Sequence, residues 1–389
     1  MPVILPGQTD IYALTDARLS CGRTLETVVS ALLGAGVKII QYREKHMKSG
    51  EMLEECRLMR RLTREAGACF IVDDHVDLAI LAEADGVHIG QEDFPLPAVR
   101  QLVGPKMCIG LSTHSPEQAR AAVAVGADPD RMAGVDNFCW CDPVQSEKTP
   151  DGEYKLAQLV RACKALSELC VAYGVPCISG KDSMKNDYTG GGKKISIPPT
   201  VLFSVLGIMD DVKKAVTSDF KKPGDRLYII GNTARELAGS EIADQLGIAC
   251  NTVPRVDAKS ALASYRKLHQ AINSRLISAC HDLSDGGLAV SLAEMCIGGR
   301  LGAHLALNRV PVIGALTLTE ALYSESASRL LVSVAPDKAA EFEALFGASA
   351  PFIGEVTSDA RLTVASADSA LFSAPVEALA HAFKATLDW

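Results

Sequence analysis

The chain has 389 residues, of which 48% are hydrophobic and 22% are charged, and its formal net charge is −8 at pH 7. This composition is typical of a globular protein, and the length predicts two or three domains at roughly 150 residues each. The acidic balance argues against nucleic-acid binding. No apolar run reaches the ~20 residues of a membrane helix. We therefore expect a cytoplasmic protein that binds neither nucleic acid nor a membrane.

The chain contains twelve cysteines and no C-x-x-C pair. Cys139 and Cys141 form the closest couple, but no His or Cys pair follows them at the spacing of a zinc site. We therefore expect reduced and buried thiols without a disulfide or metal role. Eight of them lie in apolar segments: Cys56, Cys69, Cys108, Cys163, Cys170, Cys250, Cys280 and Cys296.

The first third of the chain alternates short apolar runs with segments of helical periodicity. This alternation predicts parallel β-α units, and strands that are apolar throughout are typical of a sheet covered on both faces. The fold class is therefore α/β, and an incomplete β/α barrel of the TIM type is expected at the N-terminus, since five units are too few to close a barrel. The predicted strands are Ile11–Thr15, Val37–Tyr42, Cys69–Val72, Gly86–Ile89 and Met107–Leu111.

Polar side chains follow these predicted strands, at the ends that form the active-site face of a parallel barrel. Arg43 and Lys45 alternate along the chain and point the same way, which suits a phosphate group. Asp74 and Asp93 suit Mg²⁺, which binds one or two carboxylates together with substrate phosphate oxygens. The pattern predicts a diphosphate–Mg²⁺ site, and the alternative is a surface cluster of salt bridges.

Residues 10–128 resemble the thiamine phosphate synthase family. That family joins a hydroxymethylpyrimidine diphosphate to a thiazole phosphate and releases pyrophosphate. The resemblance implies that Gln41, Arg43, Lys45 and Asp73 hold the pyrimidine diphosphate, that Asp74 and Asp93 hold Mg²⁺, and that Ser112 contacts substrate. The motifs that carry it are YALTD, QYREK, FIVDDHVDLA, DGVHIGQED and GLSTHS, which begin at Tyr12, Gln41, Phe70, Asp85 and Gly110.

Residues 129–389 resemble the second half of phosphoribosylformylglycinamidine synthase, a purine-pathway family whose domains are like those of aminoimidazole ribonucleotide synthetase. The family uses ATP and Mg²⁺ to phosphorylate an amide oxygen, and ammonia then displaces the phosphate. The motifs that carry the resemblance are DNFCW, ISGKDS, IPPTVLFSVLGIMDDV, PGDRLYIIG, ACHDLSDGGLAVSLAEM and SESASRLLV.

The second resemblance implies an ATP contact at Asp136, a nucleotide contact at Gly180 and a substrate contact at Ser183. Between them, either Asp182 holds Mg²⁺ or Lys181 contacts phosphate directly, because an ammonium group cannot bind a metal ion. His281 and Asp282 fit a functional role or a capping cluster equally well. The family's catalytic histidine belongs to its first half, so no catalytic residue is assigned here.

The two resemblances meet within residues 118–130, where no flexible linker is present. The predicted domains are residues 1–128, 129–222 and 223–389. One hypothesis is a purine-synthase half that needs a protein supplying the other half or a glutaminase subunit. A second is a thiamine phosphate synthase in which Met132–Val135 substitutes for the sixth strand. A third is a chimeric or truncated product without catalysis. The unpaired sheet edge predicts dimerisation or aggregation.

Overall fold

The computed structural model describes residues 11–89, 96–104, 107–111, 122–191, 193–366 and 369–385. The chain divides into two compact units. The first unit comprises Met1–His114 with Phe203–Ile208, and the second comprises Ser115–Leu202 with Met209–Trp389. Within the described residues, no helix combines the length and the apolar character that a membrane crossing requires.

Five parallel strands form the sheet of the first unit and lie side by side in chain order. They are β1 (Tyr12–Leu14), β2 (Ile39–Tyr42), β3 (Cys69–Asp73), β4 (Gly86–Ile89) and β5 (Cys108–Leu111). The predicted α/β alternation is confirmed, and the described strands form an open parallel sheet. The intervening described helices are α1 (Leu25–Gly34), α2 (Ser49–Glu65), α3 (Val76–Leu81) and α4 (Leu96–Val103).

Helix α2 shows how the sequence builds the core of the first unit. Its buried residues Met52, Cys56, Met59 and Thr63 recur every three or four positions, which places them on one face of the helix. Three of them pack in one cluster with the fully buried Phe70 of β3. This packing covers the sheet and leaves the carboxyl ends of its strands to carry polar side chains.

A second sheet begins with β6 (Asp128–Cys139), which pairs in parallel with β7 (Cys177–Ser183). Met132–Val135 lie within β6, and β6 belongs with β7 to a sheet separate from that of β1 to β5. The hypothesis that these residues form a substitute sixth strand of the first sheet is therefore wrong. Helix α5 (Gly152–Tyr173) connects the two strands. After β7 the chain forms an antiparallel hairpin of β8 (Tyr188–Gly190) and β9 (Lys193–Ile195), and β10 (Thr200–Ile208) follows.

Seven strands form the mixed sheet of the second unit, in the order β12-β14-β11-β15-β13-β16-β17. The strands are β11 (Arg226–Ile230), β12 (Ala279–Asp282), β13 (Gly302–Ala306), β14 (Leu330–Val334), β15 (Phe352–Thr357), β16 (Arg361–Ser366) and β17 (Ser369–Pro375). The helices that accompany them are α6 (Glu241–Gln245), α7 (Ala258–Asn273), α8 (Gly287–Gly299), α9 (Leu318–Tyr323), α10 (Ala339–Phe346) and α11 (Val376–Ala385).

Both faces of this sheet are covered, and the central strand β11 shows why. Successive side chains of a strand point to opposite faces. Leu227 and Ile229 pack in one core cluster, whereas Tyr228 and Ile230 pack in the other. A continuous apolar run such as LYII is therefore what a strand buried on both faces requires.

The described residues that follow the first unit pack into the core of the second. Val123 and Ala124 are buried in the same cluster as Ile272 of α7. Gly126 has a φ of +112°, and a Cβ at this position would lie 2.9 Å from Ile272. Asp130 then pairs with Arg266 of α7 at 2.6 Å. The junction is thus anchored on helix α7 by packing and by charge.

The cysteines differ from the prediction that they are buried. Cys56, Cys69, Cys280 and Cys296 are buried as expected, but Cys163 is exposed. Cys163 lies on α5, a long helix of which only Gly152 and Lys155 are buried, so its apolar residues do not define a core face. The remaining predicted members, Cys108, Cys170 and Cys250, are half-buried.

Candidate functional site

The carboxyl ends of β2 and β3 bring the predicted diphosphate residues together. The buried Gln41 donates a hydrogen bond from Nε2 to Oδ1 of Asp73 at 2.7 Å. Lys45 Nζ lies 2.9 Å from Oδ2 of Asp73 and also contacts Asp74, while Arg43 Nε lies 3.7 Å from Oδ2 of Asp73. Five predicted side chains therefore form one cluster around Asp73, which we call the Asp73 cluster.

Two residues that sequence reasoning missed, Thr15 and Asp16, complete this cluster from the segment that follows β1. Asp16 accepts a hydrogen bond at Oδ2 from Nη1 of Arg43 at 3.1 Å. Thr15 accepts one at Oγ1 from the backbone N–H of Arg43 at 3.2 Å, which fixes the chain just beyond β2. Both belong to the YALTD segment directly after the first strand, so their position was the signal that could have identified them.

Asp74 is held in an unusual backbone conformation. Its φ is +58°, a region that residues other than glycine rarely adopt, although Asp is among the more tolerant. Its N–H donates to the carbonyl of His88 on the neighbouring strand β4 at 2.7 Å. The hydrogen bond and this conformation together fix the Asp74 backbone at the end of β3, where its carboxylate contacts Lys45.

The charges of the Asp73 cluster determine what it can bind. Burial alone would lower the pKa of Lys45, but its hydrogen bonds to Asp74 and Asp73 outweigh that effect and raise the pKa. The cluster holds two cations against three carboxylates, Asp16 being the third. A diphosphate would therefore meet cations that are already paired, and a divalent cation would be needed to offset the negative charge.

The predicted Mg²⁺ ligands are only partly within the structure. Asp93 and Ser112 lie outside the described residues. Across the part of the chain that is described, no three His, Cys, Asp or Glu side chains converge as metal ligands. Asp73 and Asp74 nevertheless present two carboxylates to the same ammonium group. Such an oxygen donor pair fits Mg²⁺, which takes its other ligands from phosphate and water.

In the second unit, Asp136 and Gly180 lie opposite each other on β6 and β7. A Cβ at position 180 would lie only 2.6 Å from Oδ1 of Asp136, so the carboxylate occupies the space above this glycine. The two residues that the sequence linked to a nucleotide are thus in contact. The absence of a side chain at Gly180 is what permits the close approach.

The other predicted residues of β7 are divided between its two faces. Asp182 pairs with Phe138 and lies two positions from Gly180, so it shares a face with Asp136. Lys181 and Ser183 point to the opposite face. Lys181 and Asp182 are exposed, and Ser183 is half-buried. A single small ligand resting on one face of β7 would therefore contact Asp182 or Lys181 but not both.

A charged cluster beside these strands was not predicted. Lys194 Nζ lies 3.2 Å from Oδ2 of both Asp142 and Asp187, and it donates to Oγ1 of Thr149 at 2.5 Å. Burial would lower the pKa of Lys194, but its hydrogen bonds to Asp187 and Asp142 raise it. These residues are far apart in sequence and meet only because Asp142 and Asp187 follow the ends of neighbouring strands, so composition and spacing gave no signal.

His281 forms a hydrogen-bonded cluster at the end of β12. Its Nε2 lies 2.9 Å from Oε2 of Glu294, and its Nδ1 lies 3.4 Å from Oδ1 of Asp282. Burial lowers the pKa of His281, but the hydrogen bonds to Asp282 and Glu294 raise it to about 9. Ser284 also donates to Oδ2 of Asp282 at 2.5 Å. These contacts join the end of β12 to Glu294 in the middle of α8.

Family comparisons divide the chain in the same places as the motifs. Residues 11–130 match the family model for thiamine monophosphate synthase, and residues 222–366 match that for the C-terminal domain of AIR synthase related proteins. The thiamine-phosphate synthase of Lawsonia intracellularis is 55% identical over 131 residues, which cover 33% of this chain and 60% of the relative.

The remaining comparisons concern the C-terminal part. The phosphoribosylformylglycinamidine synthase subunit PurL of Lacticaseibacillus paracasei is 33% identical over 280 residues, which cover 72% of this chain and 35% of the relative. The structure of T. maritima PurL complexed with ATP matches with a TM-score of 0.50 and 19% identity, over 69% of this chain and 43% of that one. The chain thus spans about three fifths of the first relative and about a third of the second.

These matches confirm both resemblances that the motifs indicated. The chain joins an N-terminal segment of the thiamine monophosphate synthase family to a C-terminal region of the AIR synthase and PurL type.

Proposed function

We propose that residues 129–389 act as one half of an ATP-dependent amidine-forming synthase of purine biosynthesis. In this reaction ATP phosphorylates the amide oxygen of the substrate, and ammonia displaces the phosphate to give the amidine. The contact between Asp136 and Gly180 carries the proposal, because it places a carboxylate over an open backbone position on paired strands. The similarity to PurL and the shared fold support it.

The two faces of β7 suggest a division of roles. Asp136, Gly180 and Asp182 share one face, where Asp136 can accept hydrogen bonds from nucleotide hydroxyl or amino groups. Asp182 is then the residue that would hold Mg²⁺, which when bound would neutralise charge on the phosphoryl oxygens. Lys181 and Ser183 on the opposite face would contact phosphate and substrate, so the site needs ligands that reach both faces of the strand.

The surface around β7 supports the need for a protein partner. Six of its seven residues are exposed, and the exposed apolar side chains Ile178, Leu156, Val160 and Val171 lie on β7 and α5. Exposed apolar groups of this kind are typical of an interaction surface. We propose that a protein supplying the first half of the synthase covers it, and that a glutaminase subunit supplies the ammonia.

The test is reconstitution with the full chain. The chain, ATP, Mg²⁺, phosphoribosylformylglycinamide and an ammonium salt are incubated with and without a separately purified first-half protein, and the amidine is measured. Asp136→Asn is expected to lower product formation by at least about tenfold through lost nucleotide contacts. The control Glu377→Gln changes an exposed residue of α11, outside the proposed partner surface, and should leave the rate unchanged. Amidine formation without the added protein would overturn the half-enzyme proposal.

A second candidate function is thiamine phosphate synthesis by the first unit, and the Asp73 cluster is the observation that favours it. Gln41, Arg43, Lys45, Asp73 and Asp74 meet at one end of the sheet, as a diphosphate site requires. We propose that these five strands are part of a TIM-type barrel, with Asp93 and Ser112 as further contacts. Release of pyrophosphate from the pyrimidine diphosphate and thiazole phosphate would support this function, and a chain inactive in both assays would be a chimera without catalysis.

A further inference from the structure

Two cysteines of the second unit lie side by side at the edge of a groove. The Sγ atoms of Cys170 and Cys177 are 3.8 Å apart, although the residues are seven positions apart in the chain. The groove has a volume of about 710 Å³, and Asp136, Phe138 and Cys163 also line it. This pair was not expected from the sequence, because its spacing matches no redox or metal motif.

The backbone between the two thiols fixes their separation. Cys170 lies in the last turn of α5, and Cys177 is the first residue of β7. Gly174 adopts a φ of +67°, which ends the helix in a left-handed turn. The carbonyl of Cys170 accepts a hydrogen bond from the N–H of Val175 at 2.9 Å. The thiols are therefore held together by a tight helix-to-strand turn.

The two thiols differ in access to solvent, and the more buried one has a raised pKa. Cys177 is exposed, whereas Cys170 is half-buried. Burial, together with a hydrogen bond to Cys177 and the nearby charge of Asp136, raises the pKa of Cys170 to about 11. Because the thiolate is the reactive form, Cys170 reacts slowly with an external oxidant at neutral pH. Cys177 is the thiol that an oxidant reaches first.

We propose that Cys170 and Cys177 form an oxidation-sensitive dithiol that closes to an intramolecular disulfide. With hydrogen peroxide as the oxidant, the Cys177 sulfur is oxidised to a sulfenic acid and one water is released. The Cys170 sulfur then attacks the Cys177 sulfur, and a second water leaves as the S–S bond forms. The two Sγ atoms must then approach from 3.8 Å to the roughly 2.05 Å of a disulfide bond.

The disulfide would tie the end of α5 to the start of β7. This strand carries Gly180, Lys181 and Ser183, and the groove beside it contains Asp136. Oxidation would thereby restrict the strand and narrow the groove. The proposed dithiol does not depend on the proposed enzymatic function, since it needs only the two thiols and an oxidant.

The experiment treats the folded full chain with hydrogen peroxide, removes the peroxide, blocks the remaining thiols with N-ethylmaleimide in denaturant so that the buried cysteines also react, and measures the intact mass and the peptide map. The oxidised chain should carry ten labels in place of twelve and yield one cross-linked peptide that joins Cys170 to Cys177. Dithiothreitol should restore all twelve labels. Cys170→Ser and Cys177→Ser should each prevent the cross-link.

The matched control is Cys163→Ser, which removes an exposed thiol from the same groove. This variant should still form the cross-link and lose two labels on oxidation. Twelve labels on the peroxide-treated wild-type chain, or a cross-link that involves Cys163 or a second chain, would overturn the proposal. The wild-type peptide map decides the question even where a serine variant does not fold.

Discussion

Asp73 accepts contacts from three of the side chains that the sequence assigned to a diphosphate site. Gln41 binds one carboxylate oxygen, and Lys45 and Arg43 approach the other. The sequence predicted these residues because each follows a strand of a parallel sheet. The cations are also paired with carboxylates, as the alternative of a salt-bridge cluster predicted, but the part of Asp16 in this pairing depends on the exact position of its side chain and was not predicted.

The Asp73 cluster leads to a prediction for the thiamine-type reaction. If the first unit releases pyrophosphate, Asp74→Ala should lower the rate by about 100-fold, because a carboxylate that offsets charge at the diphosphate is lost. Glu54→Ala is the control, since Glu54 is an exposed residue that pairs only with its helix neighbour Arg57 among the described contacts. Pyrophosphate assays of both variants check this. Full activity of Asp74→Ala would exclude the proposed role.

His281 makes the stability of the second unit dependent on pH. A histidine with a raised pKa binds its proton more tightly in the folded state, so the stabilisation is complete below its ordinary pKa of about 6.5. It should be lost as the pH rises through about 9. We expect the free energy of unfolding to fall by about 1–3 kcal/mol between these pH values, as measured by denaturant titration.

The partner of His281 provides the control for that experiment. Glu294→Gln removes one of the carboxylates that raise the pKa, so the pH dependence should become weaker. Glu168→Gln changes an exposed carboxylate on α5, and the pH dependence of stability should stay as in the wild type. Equal pH profiles for Glu294→Gln and the wild-type chain would show that His281 does not titrate as described.

The substitution Gly180→Ala tests the proposed nucleotide contact through ATP affinity, without an activity assay. Gly180→Ala places a methyl group against the carboxylate of Asp136, which must rotate away because its Oδ1 lies 2.6 Å from the new Cβ. We expect ATP affinity to fall about tenfold, while the melting temperature changes by only a few degrees. The control Gly34→Ala meets no atom within 4 Å. ATP affinity is measured by calorimetric titration. Equal ATP affinities of the two variants would contradict the proposed contact.

At the scale of elements, the five strands of the first unit were predicted from the sequence. Apolar runs such as those of β2 and β11 are buried on both faces, and this requirement is visible in the residues themselves. The length of β6 was not predictable, because Asp128, Asp130 and Asn137 do not resemble a buried strand. Its pairing with β7 holds it in place, and pairing between distant segments leaves little trace in a single sequence.

The junction gives a prediction for an element. Val123 is buried against the cluster that includes helix α7, so Val123→Ala should destabilise the second unit by about 1–2 kcal/mol. Hydrogen exchange should increase in the peptides of α7. Val144→Ala, at an exposed position, should have no effect. Faster exchange confined to the first unit would contradict the described packing.

At the scale of the whole molecule, the chain contains regions similar to two families, and the two candidate sites lie in different units. The motifs identified both families, and the matches confirm them. They could not show where the compact units divide. The thiamine family match extends to residue 130, whereas the second unit begins at Ser115. Packing of Val123 and Ala124 on the second core explains this overlap, because a short apolar helix can serve either fold.

The most direct test of the half-enzyme proposal is the reconstitution assay with ATP, Mg²⁺, phosphoribosylformylglycinamide and ammonia. The account predicts that the full chain forms the amidine only when a first-half protein is added, and that Asp136→Asn reduces this product by at least about tenfold. The same amount of amidine with and without the added protein, or none in either case, would contradict it.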